Sequence, residues 1–366
     1  MSIYQPRKAY SMPKRRKITI VYDQPAGDIS RELEFVFGES AVAVDGKTHV
    51  VDTSVASILE QVEAVSEALL QAGYIVSTLP VKQEVGELIN ELQAEKPDLI
   101  FNFCESFQED ARQEMNIAGL YELLRIPYTG NPPLTLGSAL NKVRTKEILS
   151  FHKINVPSFW VFNSVDEIGK SKIKFPVIAK PLHEDASIGI SNSSIIYNVD
   201  RLCEHVDIML KGFKEPVLVE RYIEGREFNV AIVGNANPMP LPISEIDFSS
   251  MPDGYHHIVS YAAKWMPDTI EYRSTIPVCP AKIGKRLEKK IIGIALRSYK
   301  ALGCRDYARV DMRVDKTGKA FVLEVNPNPD LSPHGSGFAR SAEAFGWTYN
   351  ELINKIVESA FERQRS

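Results

Sequence analysis

A chain of 366 residues exceeds a single typical core, which predicts two or three domains. Its hydrophobic content of 44%, charged content of 25% and net charge of -4 are those of an ordinary globular protein, without the electrostatic footprint of a nucleic-acid binder. No apolar run approaches the roughly 18 residues that cross a bilayer, and the opening is polar and Pro-interrupted, unlike a signal peptide. Four scattered cysteines, with no CxxC and no zinc spacing, point to reduced thiols and a cytoplasmic setting.

Ile18–Tyr22 predicts a short strand behind the basic run Lys14–Lys17, itself read as a solvated arm. Residues 28–52 alternate polar and apolar without a clear helix, and 54–72 carry helical periodicity closed by Gly73. Strands at 74–79 and 98–103 flank a helix near 83–94, an order that predicts a parallel, Rossmann-like sheet. No GxGxxG follows the first strand, so the dinucleotide fingerprint is missing. A helix at 116–124 leads to Asn131-Pro132-Pro133, a break that suits a domain boundary.

A helix over 137–152 then precedes strands at 159–162, 176–180, 189–197, 217–222 and 227–233. The irregular stretch 247–270 has the length of a lid. A long helix over 281–302, a hairpin over 307–326 and helices at 336–345 and 348–364 complete the chain. No internal repeat or low-complexity segment interrupts it.

Three places carry chemistry. Lys180 ends a strand beside a small-residue loop and can hold a phosphate as a point charge, although a surface lysine before a turn reads the same way. The loop is a mediocre cradle, since Glu184 and Asp185 are acidic and Gly189 is its one glycine. In the strand–turn–strand 217–228, backbone beside Tyr222 and Ile223 can read an adenine edge and Glu227 can accept from ribose hydroxyls; in isolation it is an ordinary hairpin. In the last hairpin, Glu324 and Asn326 share a face and Asp311 can sit across from them. Two carboxylates and an amide oxygen suit magnesium, against the plain alternative of a solvated acidic face.

Taken together and in order, these pieces resemble a family. Leu123–Gly130, Ala139-Leu140-Asn141-Lys142, Lys180-Pro181, Glu220-Arg221-Tyr222-Ile223 with Glu227, Cys279-Pro280-Ala281, Arg309-Val310-Asp311 and Glu324-Val325-Asn326 run over nearly the whole chain. They resemble the ATP-grasp carboxylate–amine ligases, and most of all the D-alanine–D-alanine ligases. The resemblance implies an α/β (α+β) ATP-grasp fold. A Rossmann-like parallel-sheet domain would cover 17–134, a central subdomain 135–226, and a C-terminal subdomain 227–366 with its lid at about 247–270.

It also implies roles. Lys142 and Lys180 would hold ATP phosphates with Glu184 nearby; Glu220, Arg221, Tyr222 and Ile223 would line the adenine, and Glu227 the ribose. Asp311, Glu324 and Asn326 would carry two magnesium ions, with manganese able to replace them. Arg309 would stabilise the transferring phosphoryl group, Lys264 would reach ATP from the lid, and Ser187 would act from the central loop. The implied reaction is ADP-forming: a carboxylate becomes an acyl phosphate, and an amine displaces the phosphate.

Departures gather on the amino-acid side. Ser54 falls where the resemblance expects a glutamate for the first substrate's amino group, with Asp52 or Glu105 as substitutes. Trp265 stands for a lid tyrosine, Asp330 for a glycine, and Gly335 for a substrate-binding serine, with Ser336 adjacent and His334 and His183 facing the expected cleft. The leading expectation is therefore a ligase for small-molecule amino acids or peptides with altered specificity. It would act on neither nucleic acid nor membrane and, by resemblance, would form a homodimer. A housekeeping D-alanine–D-alanine ligase, a peptide-modifying ligase and a nucleotide-binding module with a decayed substrate pocket are the alternatives.

Overall fold

The computed structural model describes residues 15–23, 53–108, 110–184 and 187–364. The insert at 28–52, Asp52 and Asp185-Ala186 lie outside them. As expected, the fold is mixed α/β, with a parallel N-terminal sheet and two antiparallel sheets.

The first sheet is built from β1 (Lys17–Asp23), α1 (Thr53–Gln71), β2 (Ile75–Val81), α2 (Val85–Glu95) and β3 (Leu99–Phe103), in the strand order β2-β1-β3. Crossover helices cover parallel strands on both faces, and all five residues of β3 are buried. Asp23 therefore ends the central strand at the sheet's carboxyl edge, where open α/β sheets bind ligands. Next come α3 (Glu114–Leu123), α4 (Pro133–Leu140) and α5 (Lys142–Phe151). The single helix expected over 137–152 is thus two. Asn141 is extended, at φ -82° and ψ 96°, and its side chain accepts from Arg144 N at 3.1 Å, capping α5 and starting it at Lys142.

The second sheet holds β4 (Phe159–Phe162), β5 (Val177–Pro181), β6 (Ile195–Ile196) and β7 (Val217–Arg221), with α6 (Val199–Phe213) against it, in the order β4-β7-β5-β6. The strand expected over 189–197 shrinks to Ile195–Ile196. Ser191 and Ser194 cap each other in a 3₁₀ turn, which competes with a strand ladder, and between them Asn192 reaches across to donate to Gly254 O at 3.0 Å and accept from His256 N at 2.7 Å. Gly189 has φ +73°, and a Cβ there would meet Phe213 and Pro181 at 2.8 Å, so this turn requires glycine.

The third sheet contains β8 (Gly225–Val233), β9 (Met239–Pro240) and β10 (Ser244–Asp247). After α7 (Tyr261–Trp265) and α8 (Ile270–Ser274) come β11 (Ile276–Val278), α9 (Lys285–Ala301), β12 (Tyr307–Asp315) and β13 (Ala320–Asn326). Its order is β11-β10-β8-β12-β13, with β9 beside β8. The lid stretch is less irregular than expected, since Ser260 caps α7 within it. The helix expected from 281 starts at Lys285, because Ala281 N is bonded to Ile243 O at 2.8 Å.

Finally α10 (Gly337–Phe345) and α11 (Tyr349–Glu362) pack back onto the first sheet: Ile18, Leu99 and Phe101 share a core with Phe338, Ile353 and Val357. Asp306 pins this arrangement. Fully buried, it accepts from Gly130 N at 2.9 Å, Asn235 Nδ2 at 3.1 Å, and Arg363 Nε and Nη2 at 2.9 and 2.7 Å. Among the described residues, no helix is long and apolar enough to cross a membrane.

Candidate active site

The site begins with strand register. On β12, Arg309, Asp311 and Arg313 are two apart and share a face, while Val310, Met312 and Val314 fill the core behind them. Opposite them, β8 brings Asn229 to Asp311 and Glu227 to Arg313, and β13 brings Asn326 to Arg309 and Glu324 to Asp311. A register shift between Asp311 and Met312 lets β13 carry one extra residue there. Val322 and Val325 consequently both enter the core, and Glu324 joins the polar face.

Asp311 is the centre of this patch. Arg309 grips it with two hydrogen bonds, Nε to Oδ1 at 2.8 Å and Nη2 to Oδ2 at 2.7 Å. Asn229 Nδ2 donates to it at 2.7 Å and Asn326 Nδ2 at 2.9 Å. Burial pushes the Asp311 carboxyl up, but the Arg309 charge and the hydrogen bonds from Arg309 and Asn229 outweigh it and hold the group below the usual range. Asn326 Nδ2 also lies 3.5 Å from Glu324 Oε1, so a half-turn of that amide would present its oxygen beside both carboxylates. Two carboxylates with amide oxygens form a hard-oxygen donor set of the type that fits magnesium.

Beside it lies a buried set of lysines. Lys142 and Lys146 share one face of α5, four residues apart. Lys142 Nζ donates to the carbonyl of Glu184 and lies 3.5 Å from that of Leu182. Glu220 is 1% exposed; it pairs with Lys180 at 2.6 Å and also with Lys146. Burial alone would raise Glu220, but the two ammonium groups bring its carboxyl down to about 2. Burial in turn pulls Lys146 down. Lys146 also donates to Leu323 O at 3.0 Å, at the bulge of β13. The Glu220 side chain is therefore a counter-charge for lysines, and Arg221 is exposed.

Arg313 closes the other end. Its Nε bonds Glu227 Oε2 at 3.0 Å, its Nη1 bonds Ile223 O at 2.9 Å, and its Nη2 bonds the carbonyl of His257 in the lid. The guanidinium stands 5.1 Å from the Tyr222 ring centroid. Burial raises the Glu227 carboxyl in spite of Arg313. The lid is tied down further by Ser187 Oγ on Val259 O at 2.9 Å and Tyr222 OH on His257 O at 3.3 Å. Ile258 packs there with Tyr222 and Ile195.

Lys264 is open to solvent, 5.2 Å from the Trp265 ring centroid, yet protein surrounds it on its other sides. That enclosure and the Arg309 charge pull its ammonium down, while Glu324, Asp330 and Asp311 push it up.

The remaining predicted positions are more scattered. Asp330 Oδ1 accepts from Ser332 N at 2.8 Å and Oγ at 2.6 Å. Ser336 is buried, and its hydroxyl caps α10 by accepting from Ala339 N at 3.1 Å. Gly335 has φ +89°. His183 is paired with Glu215 at 2.9 Å, and His334 lines a hollow of about 310 Å³ with Glu60, Glu63 and Glu67 of α1. A smaller hollow, about 30 Å³, lies among Glu114, Lys142, Glu324 and Asn326. The larger hollow is lined by acidic groups and a histidine, whereas in the smaller one a lysine meets the Glu324–Asn326 end of β13.

Glu105 donates through its backbone N to Asp23 Oδ2 at 3.0 Å, as do Ser106 N at 2.8 Å and Ser106 Oγ at 3.0 Å. Asp23 Oδ1 is buried without a partner, and burial pushes this carboxyl up to about 6.

Asn229, Arg313, Lys146, Asp23 and Arg340 were not anticipated from sequence. The first two lie two residues beyond Glu227 and Asp311, so strand period alone could have found them. Lys146 could have been found from the i, i+4 helix rule. Asp23 could have been found as the residue that ends the first strand, at the carboxyl edge of a parallel sheet, whereas nothing local marks Arg340.

Comparison with known proteins places this geometry in context. Residues 149–358 match the family model described as D-ala D-ala ligase C-terminus. A D-alanine–D-alanine ligase of Carboxydothermus hydrogenoformans is 33% identical over 82% of this chain and 92% of its own length. An uncharacterized protein of Sinorhizobium fredii, y4sG, is 33% identical over 72% of this chain and 75% of its own. Among solved structures, the Bacillus anthracis D-alanine–D-alanine ligase complexed with ATP superposes with a TM-score of 0.68 at 23% identity, covering 96% of this chain and 99% of that one.

Proposed function

Because the chain belongs to the D-alanine–D-alanine ligase family of ATP-dependent carbon–nitrogen ligases, we propose that it joins a carboxylate to an amine through an acyl phosphate, with substrates other than two D-alanines. The observation that carries the reading is the row Arg309, Asp311, Glu324 and Asn326 beside Lys142 and Lys180. It is a patch built to neutralise and align phosphate oxygens.

In this reading Lys142 and Lys180 take the phosphates, Tyr222 and Ile223 line the base, and Glu227 accepts from the ribose. Asp311, Glu324 and Asn326 would hold magnesium, which when bound supplies positive charge to the phosphates. The substrate carboxylate attacks the terminal phosphorus and ADP leaves. The amine then attacks the acyl carbon, loses a proton and expels phosphate. Arg309 matches the charge of the transferring group. Lys264 arrives with the lid, and the bonds from Ser187, Tyr222 and Arg313 to lid carbonyls keep water from the acyl phosphate.

What supports altered specificity is that Ser54, Trp265 and Gly335 stand where the resemblance expects a glutamate, a tyrosine and a serine. Asp23 with its buried oxygen, and Cys104, fully buried beside it, stand at the carboxyl edge of the first sheet. The test is phosphate release from ATP and magnesium against pools of amino acids and dipeptides, with products weighed by mass spectrometry. An amide product other than D-alanyl-D-alanine is expected. No amide product from any pool sinks the ligase reading, and D-alanyl-D-alanine as the sole product sinks the altered specificity.

A further inference from the structure

Arg340, on α10, sits beside Arg309. Gly337 leaves the space between them: a Cβ there would meet Arg340 Nη2 at 3.7 Å and Arg309 Cδ at 4.0 Å. The two guanidiniums are not equally matched. Arg309 is neutralised by both oxygens of Asp311. Arg340 has no carboxylate partner among the described residues; its Nη1 donates to Gly335 O at 3.2 Å, and its Nε is buried with no acceptor. Its other titratable neighbour is the Cys279 thiol, which burial keeps protonated.

A guanidinium does not shed its proton to escape such a position. Holding it half-buried next to a second arginine is costly unless an anion arrives. The anion's source follows from the sheet order. Glu324 and Asn326 lie on β13, one flank of Arg309, and Lys142 borders the same hollow. Arg340 lies on the other flank, where α10 packs over β8 and β10 and Cys279 follows β11. Lys142 and the β13 pair therefore flank Arg309 on one side and Arg340 on the other, with Glu227 farther along β8, opposite Arg313.

We propose that Arg340 anchors the carboxylate of the amine-bearing substrate, so that the enzyme accepts amino acids and rejects the same amines with their carboxyl group masked. The assignment rests on the ligase reading above, in which Arg309 marks the reacting phosphoryl group.

The test is a competition in the full-length enzyme. Glycine and the D and L forms of alanine, serine, lysine and glutamate are each mixed with an equal amount of their own carboxamide, plus ATP and magnesium. Mass spectrometry reads the ratio of dipeptide to dipeptide amide. The wild type is expected to favour the acid at least tenfold, Arg340→Gln to bring the ratio near one, and Arg340→Lys to keep part of the preference. ATP affinity should stay within twofold in both variants.

Equal use of amides by the wild type, or a preference surviving in a folded Arg340→Gln, overturns the subsite. A tenfold loss of ATP affinity in place of the lost preference also overturns it, because the anion is then a phosphate. A second readout separates this inference from the ligase reading: the ¹⁵N resonance of Arg340 Nε, followed as the same acids and amides are added. If no product forms but acids alone move that signal, the subsite stands and the ligase reading fails. If no acid moves it, the subsite is wrong.

Discussion

Val322 and Glu324 stand two residues apart on β13 and face opposite sides of the sheet. In a regular strand they would share a face. The register shift opposite Asp311 and Met312 reverses the phase, and Lys146 holds the bulge by donating to Leu323 O at 3.0 Å. The phase of the polar patch is therefore set by one extra residue, Leu323. Deleting it should leave a regular pairing in which Val322 and Val325 keep the core and Glu324 and Asn326 keep the polar face, while Lys146 loses the carbonyl it donates to. Melting temperature should drop clearly and phosphate release should stay within about tenfold of the wild type; a folded deletion variant that loses phosphate release a hundredfold would contradict this account.

Replacing Glu324 by Gln separates the two effects. The shape and core are kept, while one of the two carboxylates proposed for magnesium is lost. Phosphate release should fall by roughly a hundredfold or more, as expected for removing transition-state charge stabilisation, and the nucleotide-free melting temperature should barely move. Persistent activity would remove Glu324 from the proposed metal site.

Glu220 provides a stability test with a defined sign. Its folded carboxyl is depressed from 4.5 to about 2 by Lys146 and Lys180, in spite of burial. A depressed acid contributes stability that is present above the unfolded value and lost as pH falls through the folded one. At 1.36 kcal/mol per unit this amounts to about 3 kcal/mol, lost between about pH 4.5 and 2. Glu220→Gln leaves two buried ammonium groups without a counter-charge and should cost about 3–5 kcal/mol at neutral pH. Urea melts across pH should show a steeper acid decline for the wild type than for the variant.

Asp23 has the opposite sign. Burial raises its carboxyl from 3.8 to about 6, so its contribution is fully present below about pH 3.8 and is lost as pH rises through about 6. The wild type should lose roughly 1–3 kcal/mol over that window from this group. Asp23→Asn should lack that component, so its stability should decline less across the window. Chemical denaturation at several pH values measures the difference, and parallel curves would show that Asp23 does not ionise as described.

Arg313 connects three partners: Glu227, the Ile223 carbonyl and the His257 carbonyl in the lid. Arg313→Met should free the lid and leave Glu227 unsupported. KM for ATP should rise about tenfold, the loss of one charge-assisted bond, and the preference for ATP over 2′-deoxyATP should shrink. kcat at saturating ATP should change far less. An unchanged KM for both nucleotides would show that the clasp does not serve the nucleotide.

The sequence by itself determined the parallel first sheet and the identity of the polar strand faces. Residues i and i+2 on a strand share a face wherever the chain folds, so Asp311 with Arg309 and Arg313, and Glu227 with Asn229, were legible from spacing. Ser191, Ser194 and Asn141 show where local reading stopped short: their side chains bond to nearby backbone, ending a strand and splitting a helix that apolar spacing had carried through. Tertiary structure decided the rest, because the deciding partners come from distant segments. Glu220 became the counter-ion of lysines on α5 and β5 only when those elements packed together. Arg340 stands unmatched beside Arg309 because α10 folds back over β8 and β10. Charge balance in a buried site is a property of which segments meet, and no local pattern records it.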